Sequence, residues 1–567
     1  MYISPRVRHF SYIFLLLLPL VGCQNIQSYS QHIGKSILSI FNNGDKSQKV
    51  QSSNQRIKPL PQDPLIQVYF NHSQSSEYQE SYRQQTRLGD NLEKQIINAI
   101  NQAKSTVDVA VQELRLPKIA QALADKQKSG VKVRIILENN YSRPWSNLTA
   151  TEVKKLNQRE QDRYNEIRKF IDINQDNQLT KDEINQRDAL VIIKNAKIPW
   201  IDDTADGSKG SGLMHHKFVI IDNRFVIITS ANFTLSDTSG DFTNPSTLGN
   251  ANNLLKIDSP QLATLFTQEF NIMWGDGPGG QPDSRFGIKK PVRLPKQITL
   301  GNTQITVNFS PISSTQPWIN SSNGLIGKTL NSAIKSVDMA LFVFSEQQLA
   351  NILETRHQQN VKIRALIDSQ FAYRPYSEAL DMMGVALSNK CKYELDNRPW
   401  SNPITTVGVP ILPKGDLLHH KFAVIDHQKV ITGSHNWSAA ANHGNDETLV
   451  VIKNPIIADH YVREFNRLYS NFKPGVPPNI QAKIAAETKK CSQIKAPKSS
   501  DKILITKINI NTANQEEIAT LPGVGEKLAQ RIILARQKQK FTSLADLEKV
   551  PGISNRMLDK WEDRITW

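Results

Sequence analysis

From Ile66 onward the hydrophobic positions alternate between two periods. The run IQVYF at 66–70 has the spacing of a strand and NLEKQIINAINQA at 91–103 that of an amphipathic helix. TVDVAVQEL (106–114) returns to a strand, KIAQALADKQKSG (118–130) to a helix and VKVRIILEN (131–139) to a strand. The same order comes back as ITVNFS (305–310), IGKTLNSAIK (326–335), SVDMALFVF (336–344), QQLANILETRHQQN (347–360) and VKIRALIDS (361–369). Even the next turn repeats, as YSRPW from Tyr141 and YRPYS from Tyr373. This duplication predicts an α/β chain of two similar α-β-α halves, 64–290 and 291–473, with mixed or parallel sheets covered by helices.

One repeated phrase keeps its polar letters. LMHHKFVIIDNRFVIITSAN begins at Leu213 and LLHHKFAVIDHQKVITGSHN at Leu417, with their first histidines 204 residues apart. Each reads as a mostly apolar strand, and alternation puts His215 and Lys217 on one face with His216 on the other, as for His419, Lys421 and His420. A single histidine in such a strand is ordinarily structural. Two copies, each followed at equal spacing by Asp and then Ser-x-Asn, point to chemistry.

These residues resemble the phospholipase D superfamily, whose signature is His-x-Lys, four residues, Asp and then Gly-Ser-x-Asn. The two sets are His215, Lys217, Asp222, Ser230 and Asn232, and His419, Lys421, Asp426, Ser434 and Asn436. The second copy has Gly433 before Ser434, while the first has Thr229 there. Cleaving a phosphodiester without a catalytic metal needs a nucleophile on one side of phosphorus and a proton donor on the other. Two facing imidazoles can divide those roles, and lysine and asparagine donors can hold the nonbridging oxygens. The resemblance implies a phosphohistidine intermediate that water hydrolyses. In GNDETLVVIK, Glu447 aligns with Asn252 of GNANNLLKID, and the family uses a carboxylate here to orient a catalytic histidine. Since a carboxylate raises an imidazole pKa, Glu447 is expected to pair with His419 as the general acid, leaving His215 as nucleophile. Asp222 and Asp426 are expected to support their half-sites rather than touch phosphorus.

The halves differ by an insertion: 26 more residues separate Val131 from His215 than Val361 from His419. The surplus holds DINQDNQLTKDE from Asp172, within about 160–190, which resembles an EF-hand loop. Its oxygen donors would be Asp172, Asn174, Asp176, the Gln178 carbonyl, Thr180 and Glu183, holding a structural calcium ion. Asn177 stands where glycine is usual, and asparagine tolerates the left-handed backbone that position needs.

Composition adds location and partners. The 69 Lys and Arg against 53 Asp and Glu, a net +16, favour an anionic partner such as nucleic acid or a phospholipid surface. Residues 1–23 combine Arg6 and Arg8, an apolar run and LVGC, which resembles a bacterial lipoprotein signal with Cys23 as the lipidated residue. That implies an exported, membrane-anchored lipoprotein at the outer membrane, periplasm or cell surface. Residues 24–63 read as a flexible tether and 474–503 as a basic linker. Cys391 and Cys491 remain, and whether they pair is open.

The segment 504–567 has two glycine turns, LPGVG and VPGIS, between short helices. It resembles the tandem helix-hairpin-helix domain of bacterial competence DNA receptors. That resemblance implies sequence-independent DNA binding through Gly523, Gly525, Lys527 and Arg531, with Gly552 and Arg556 in the second hairpin. Three functions follow in order. The first is an anchored phosphodiesterase acting on DNA; the second is a phospholipase D cleaving phospholipid head groups; the third is a non-catalytic DNA-uptake or scaffold protein.

Overall fold

The computed structural model describes residues 56–567, apart from 209–211, 395, 563 and parts of 493–522. Cys23 and the expected signal and most of the expected tether therefore lie outside the described residues. No helix among the described residues is long and apolar enough to cross a membrane.

The first half is a seven-stranded sheet. Its strands are β1 (Ile66–Phe70), β2 (Thr106–Val111), β3 (Lys132–Leu137), β4 (Trp200–Asp202), β5 (Lys217–Ile221), β6 (Phe225–Thr229) and β7 (Asn253–Asp258), in the order β1-β7-β6-β5-β2-β3-β4. The second has nine: β8 (Lys296–Leu300), β9 (Thr303–Phe309), β10 (Ser336–Leu341), β11 (Lys362–Ile367), β12 (Val407–Pro410), β13 (Lys421–Ile425), β14 (Lys429–Gly433), β15 (Thr448–Lys453) and β16 (Phe472–Pro474). Their order is β8-β9-β15-β14-β13-β10-β11-β12-β16. In both, the second and third duplicated strands pair in parallel (β2 with β3, β10 with β11) and the histidine strand joins β2 or β10 antiparallel, so both sheets are mixed.

The outer faces are covered by α1 (Leu92–Asn101) and α2 (Pro117–Lys128) in half one, and by their equivalents α6 (Ser322–Asn331) and α7 (Gln347–Gln358) in half two. The inner faces share one core. It is filled by Phe266 and Phe270 of α5 (Pro260–Trp274) and Tyr461 and Phe465 of α9 (Pro455–Tyr469), packed between Phe218 and Phe422 of the two histidine strands. Two halves that bury their inner faces on each other are held with their histidine strands in fixed register.

Asp222 and Asp426 sit in left-handed turns at the far ends of those strands, with φ of 52° and 53°. The Asp222 carboxylate accepts backbone N–H groups of Lys104, Ser105 and Thr106, and Asp426 accepts those of Ile334, Lys335 and Ser336. Each pins the histidine hairpin to the start of the neighbouring strand, as expected of supporting residues. Thr229 and Gly433 diverge for a local reason. Gly433 has φ of 135°, and a β-carbon there would stand 2.2 Å from the Thr448 carbonyl oxygen. The Thr229 hydroxyl instead donates to Asn253 O at 2.6 Å and accepts from Ala231 N–H at 3.0 Å.

The expected linker is not free chain throughout. Pro478–Lys490 forms a helix, α10, with proline at its start and Ala, Lys and Glu through its body. A disulfide joins Cys491 at its end to Cys391, a loop residue of half two, with Cα atoms 5.3 Å apart. In the C-terminal module, α11 (Glu526–Lys538) and α12 (Asn555–Trp561) bury Leu528, Ile532, Leu558 and Trp561 in a separate small core. The module rests on half two, where Asp559 of α12 approaches His443, at the end of α8 (Ala439–His443), at 3.4 Å.

Replacing Asp222 by Ala orphans backbone N–H groups and is expected to cost about 1–3 kcal/mol of stability. The urea midpoint should fall, while turnover per folded molecule stays within a few-fold of the wild type.

Candidate active site

The two halves meet edge to edge beside the histidines. His215 N–H donates to Asp446 O at 2.9 Å and Asp446 N–H to Leu213 O at 2.8 Å; Ala251 N–H donates to Leu417 O at 2.8 Å and His419 N–H to Ala251 O at 3.1 Å. These symmetric bridges carry each half's Gly-Asn segment into the other half's site.

The side-chain pairing is consequently crossed. Glu447 binds His215, with its carboxylate 2.7 Å from Nδ1. His419 Nδ1 stands 3.0 Å from the Asn252 Oδ1 instead. The expected Glu447–His419 pair is thus corrected: alignment placed Glu447 opposite Asn252 correctly, but each partner serves the histidine of the other half. Asn252 is fixed by donating through Nδ2 to the carbonyls of Asp237 and Asn250, and its Oδ1 also accepts from the Ser230 hydroxyl at 2.7 Å. Ser434 has a plainer role, accepting Thr448 N–H at 2.9 Å.

His215 and His419 are each 7% exposed, enough to face a cleft, whereas His216 and His420 are fully buried. The latter two tie the strands to the central helices: His420 Nε2 lies 3.0 Å from Glu464 of α9, and His216 Nε2 lies 3.5 Å from Glu269 of α5. Lys290 joins Glu269 and Asp446 at 2.5 Å each, linking the halves behind the site.

Burial pushes His215 down to about 4, against the pull of Glu447. Burial and the ammonium groups of Lys421 and Lys217 push His419 well below its ordinary range. Both rings are therefore neutral in the free protein, with Nδ1–H donated to Glu447 or Asn252 and Nε2 left as a lone pair. Burial raises the Glu447 carboxyl, but the neighbouring His215 outweighs this and holds it at about 2.

Both lysines are buried in the same place. Lys217 Nζ donates to His215 O at 2.9 Å and to Gln112 Oε1 at 3.2 Å; Lys421 Nζ donates to His419 O at 2.6 Å and lies 4.8 Å over the Phe342 ring. Burial brings Lys217 down to about 8, and burial with the adjacent Lys217 charge pushes Lys421 well below its ordinary value. The Oδ1 atoms of Asn232 and Asn436 are buried without a hydrogen-bond partner. Two imidazole rings and two lysine side chains thus share one buried region, where an anion would relieve the lysines' mutual repulsion. Beside them a cleft of about 480 Å³ is lined by Gln112 and Leu213 on the inside and by Tyr141, Trp145 and Arg163 outside.

Sequence reading missed Asp237, which accepts Asn232 N–H at 2.8 Å and approaches His419 Nδ1 at 3.8 Å, and Gln112 on Lys217. Neither has a counterpart in the repeated phrase that would have drawn notice. Asp222 and Asp426 are at the opposite strand ends from the histidines, outside the site.

The inserted loop joins α3 (Gln158–Ile171) to α4 (Lys181–Arg187). Asn177 takes the left-handed backbone, φ 63°, and its N–H donates to Asp172 Oδ2 at 2.8 Å. Glu183 spans the loop, accepting Ile173 N–H at 2.9 Å and Thr180 N–H at 2.9 Å. Asp172 is 5% exposed, and its Oδ1 is buried with no partner. An all-oxygen set with an orphaned buried carboxylate oxygen fits a hard cation such as calcium. In the C-terminal module, Gly523 and Gly525 are exposed at the first hairpin, as are Lys527 and Arg556. Arg531 is otherwise engaged: its guanidinium bonds the Pro551 carbonyl and packs against Gly552, 2.8 Å from where a β-carbon would sit. It ties the hairpins together rather than standing free for DNA.

The family described as cardiolipin synthase, PLD-like domain, matches residues 96–274 and 326–469, over half of the chain. A helix-hairpin-helix motif matches residues 505–566. The mitochondrial cardiolipin hydrolase of Xenopus laevis is 27% identical over 191 residues, 33% of this chain and 80% of that protein. That of Mus musculus is 27% identical over 160 residues, 28% of this chain and 62% of that protein. The phosphatidylserine synthase of Haemophilus influenzae is 12% identical, covers 78% of this chain and 96% of that one, and superposes with a TM-score of 0.46. With twin His-x-Lys strands whose histidines are each partnered from the other half, this chain belongs to the phospholipase D-like family.

Proposed function

We propose that the protein is a phospholipase D-type phosphodiesterase that hydrolyses nucleic-acid backbone through a phosphohistidine. The crossed pairing of His215 with Glu447 and His419 with Asn252 carries this reading. A carboxylate that accepts Nδ1–H keeps the His215 Nε2 lone pair ready and compensates the positive charge the ring gains on bonding phosphorus. His419, neutral in the free protein, takes up a proton from solvent at Nε2 when the anionic diester binds beside it; held by a neutral amide, it is then the stronger acid and delivers that proton to the leaving oxygen. In the second step neutral His419 takes a proton from water, which attacks phosphorus and releases His215. The role expected of each histidine is kept, with the carboxylate's part reversed. The twin lysines and asparagines hold the nonbridging oxygens.

Nucleic acid is favoured over phospholipid by the attached helix-hairpin-helix motif and by a cleft lined with arginine and aromatic side chains. The relatives named for cardiolipin hydrolysis make phospholipid the competing substrate. The apolar N-terminal run ending at Cys23 supports an exported, lipid-anchored protein. Calcium, held by Asp172, Asn174, Asp176, Gln178, Thr180 and Glu183, would fasten α3 to α4 and take no part in the reaction. α3 carries Arg163, so the ion would steady one wall of the cleft.

With a p-nitrophenyl phosphodiester, whose leaving group needs no acid, His419→Ala is expected to release a burst of nitrophenolate and accumulate the remaining phosphoryl ester on His215. Peptide mass spectrometry after an alkaline quench reads the site, and the same ester on residue 419 of a His215→Ala protein would reverse the roles. Protein lacking residues 1–23 should cleave DNA and leave phosphatidylcholine intact, the opposite result installing the lipid reading. Lys217 carries its charge only below about pH 8 in the free protein, so kcat/KM should fall as pH rises through 8 while kcat falls less. A kcat/KM profile flat well above that pH removes Lys217 as the substrate's electrostatic partner. Calcium should raise the melting temperature of the wild type and not of Asp172→Ala, and terbium luminescence should titrate the same site.

A further inference from the structure

The first glycine hairpin of the C-terminal module, exposed as it is, lies along a groove. Gly523, Val524 and Gly525 form one wall of a groove of about 1000 Å³ whose other wall belongs to half two. Opposite the glycine turn stand Arg374 and Tyr376, on the turn that repeats the Tyr141–Trp145 turn of half one, together with Lys390, Lys392 and Lys483. Arg564 closes one side, and Glu394 and Asp396 are the acidic residues of the lining. Basic residues outnumber acidic ones, and Arg374, Lys390, Lys392 and Lys483 are all exposed.

The disulfide explains how this basic wall is held. Lys390 and Cys391 occupy successive left-handed positions, φ 51° and 57°, at the tip of a tight turn closed by the Asn389–Lys392 bridge. Cys391 therefore points its sulfur to Cys491 while the lysines on either side of it line the groove. On the far side of the bond, α10 carries Lys483 and buries none of its own side chains, so packing alone gives it little reason to stay. The covalent link at its C-terminal end fixes it beside the turn. One bond thus positions three of the lysines from two separate segments against one glycine hairpin.

We propose that this composite groove is a clamp for the sugar-phosphate backbone of a polynucleotide, with the Cys391–Cys491 disulfide as its positioning device. The proposal rests on the nucleic-acid reading of the active site. A glycine turn lets a phosphate approach main-chain N–H groups, and the facing lysines neutralise neighbouring phosphates without reading sequence. The exposed Tyr376 ring adds a surface for a base or sugar. The groove sits on the same half as His419, whose ring contacts Phe342 at 4.9 Å, which in turn contacts Phe371 at 4.7 Å, three residues before Arg374. A strand gripped there is held on the flank of the catalytic cleft, so the clamp raises the local concentration of diester at the histidines.

The test uses oxidised protein lacking residues 1–23 with His419→Ala, to prevent cleavage, and fluorescein-labelled single- and double-stranded DNA read by anisotropy. Lys390→Glu with Lys392→Glu is expected to weaken binding by about tenfold or more and to lower the salt slope by roughly 2 for duplex. The same charge reversal at Lys94 and Lys128, exposed on half one, should change affinity much less. Cys391→Ser with Cys491→Ser, or reduction of the disulfide, should weaken binding with all lysines present. In the cleavage-competent background, hydrolysis of bis(p-nitrophenyl) phosphate should be unchanged by each of these. Wild-type affinity in the Lys390 and Lys392 variant, or equal loss from the half-one reversal, overturns the clamp while leaving DNA as substrate. A protein that binds and cleaves no DNA but hydrolyses phospholipid overturns both readings.

Discussion

The exchange of short bridges between the halves is the constraint on which the catalytic centre depends. His215 and His419 each stand just before a strand of a different sheet, and each takes its Nδ1 partner from the opposite half. Neither half alone has a complete site, because the Nδ1 partner of each histidine comes from the other half and a buried carboxylate that loses its paired ring is costly. The shared inner core and the Glu269–Lys290–Asp446 cluster keep this exchange in register. Precision of the site is thereby tied to the packing of the whole two-sheet body.

Duplication gives symmetry, and the departures from it assign the work. Glu447 and Asn252 occupy equivalent positions and differ in charge, which separates a nucleophile that must become cationic from an acid that must give up a proton. Gln112 and Phe342 likewise differ beneath the two lysines, one a hydrogen-bond acceptor and the other a ring face. The additions to the plan are also unequal. The first half has the oxygen-rich inserted loop at the end of α3, and the second is followed by the disulfide-linked helix and the helix-hairpin-helix module.

Much of this was legible in the chain. Period-two and period-3.6 runs located the strands and helices of both halves, and the repeated His-x-Lys phrase located the residues that meet. Those features are local: they depend on which side of a strand or helix a residue falls. Gly523 of LPGVG, Gly552 of VPGIS and Asn177 were legible for the same reason, since a left-handed backbone limits which residue can stand there.

What the sequence by itself determined was therefore the pair of α/β halves, the identity of the half-site residues and the supporting part of Asp222 and Asp426. Only the tertiary structure decided that Glu447 serves His215, that Arg531 braces the second hairpin, that the linker carries a helix, and that Cys391 meets Cys491. Each of these is a contact between segments far apart in sequence, and spacing along a chain carries no distance in space. Crossing was the deciding case. Alignment can say that two residues are equivalent within their own halves, but the side chain each one reaches is set by how two sheets dock, and that is fixed by the buried surface between them.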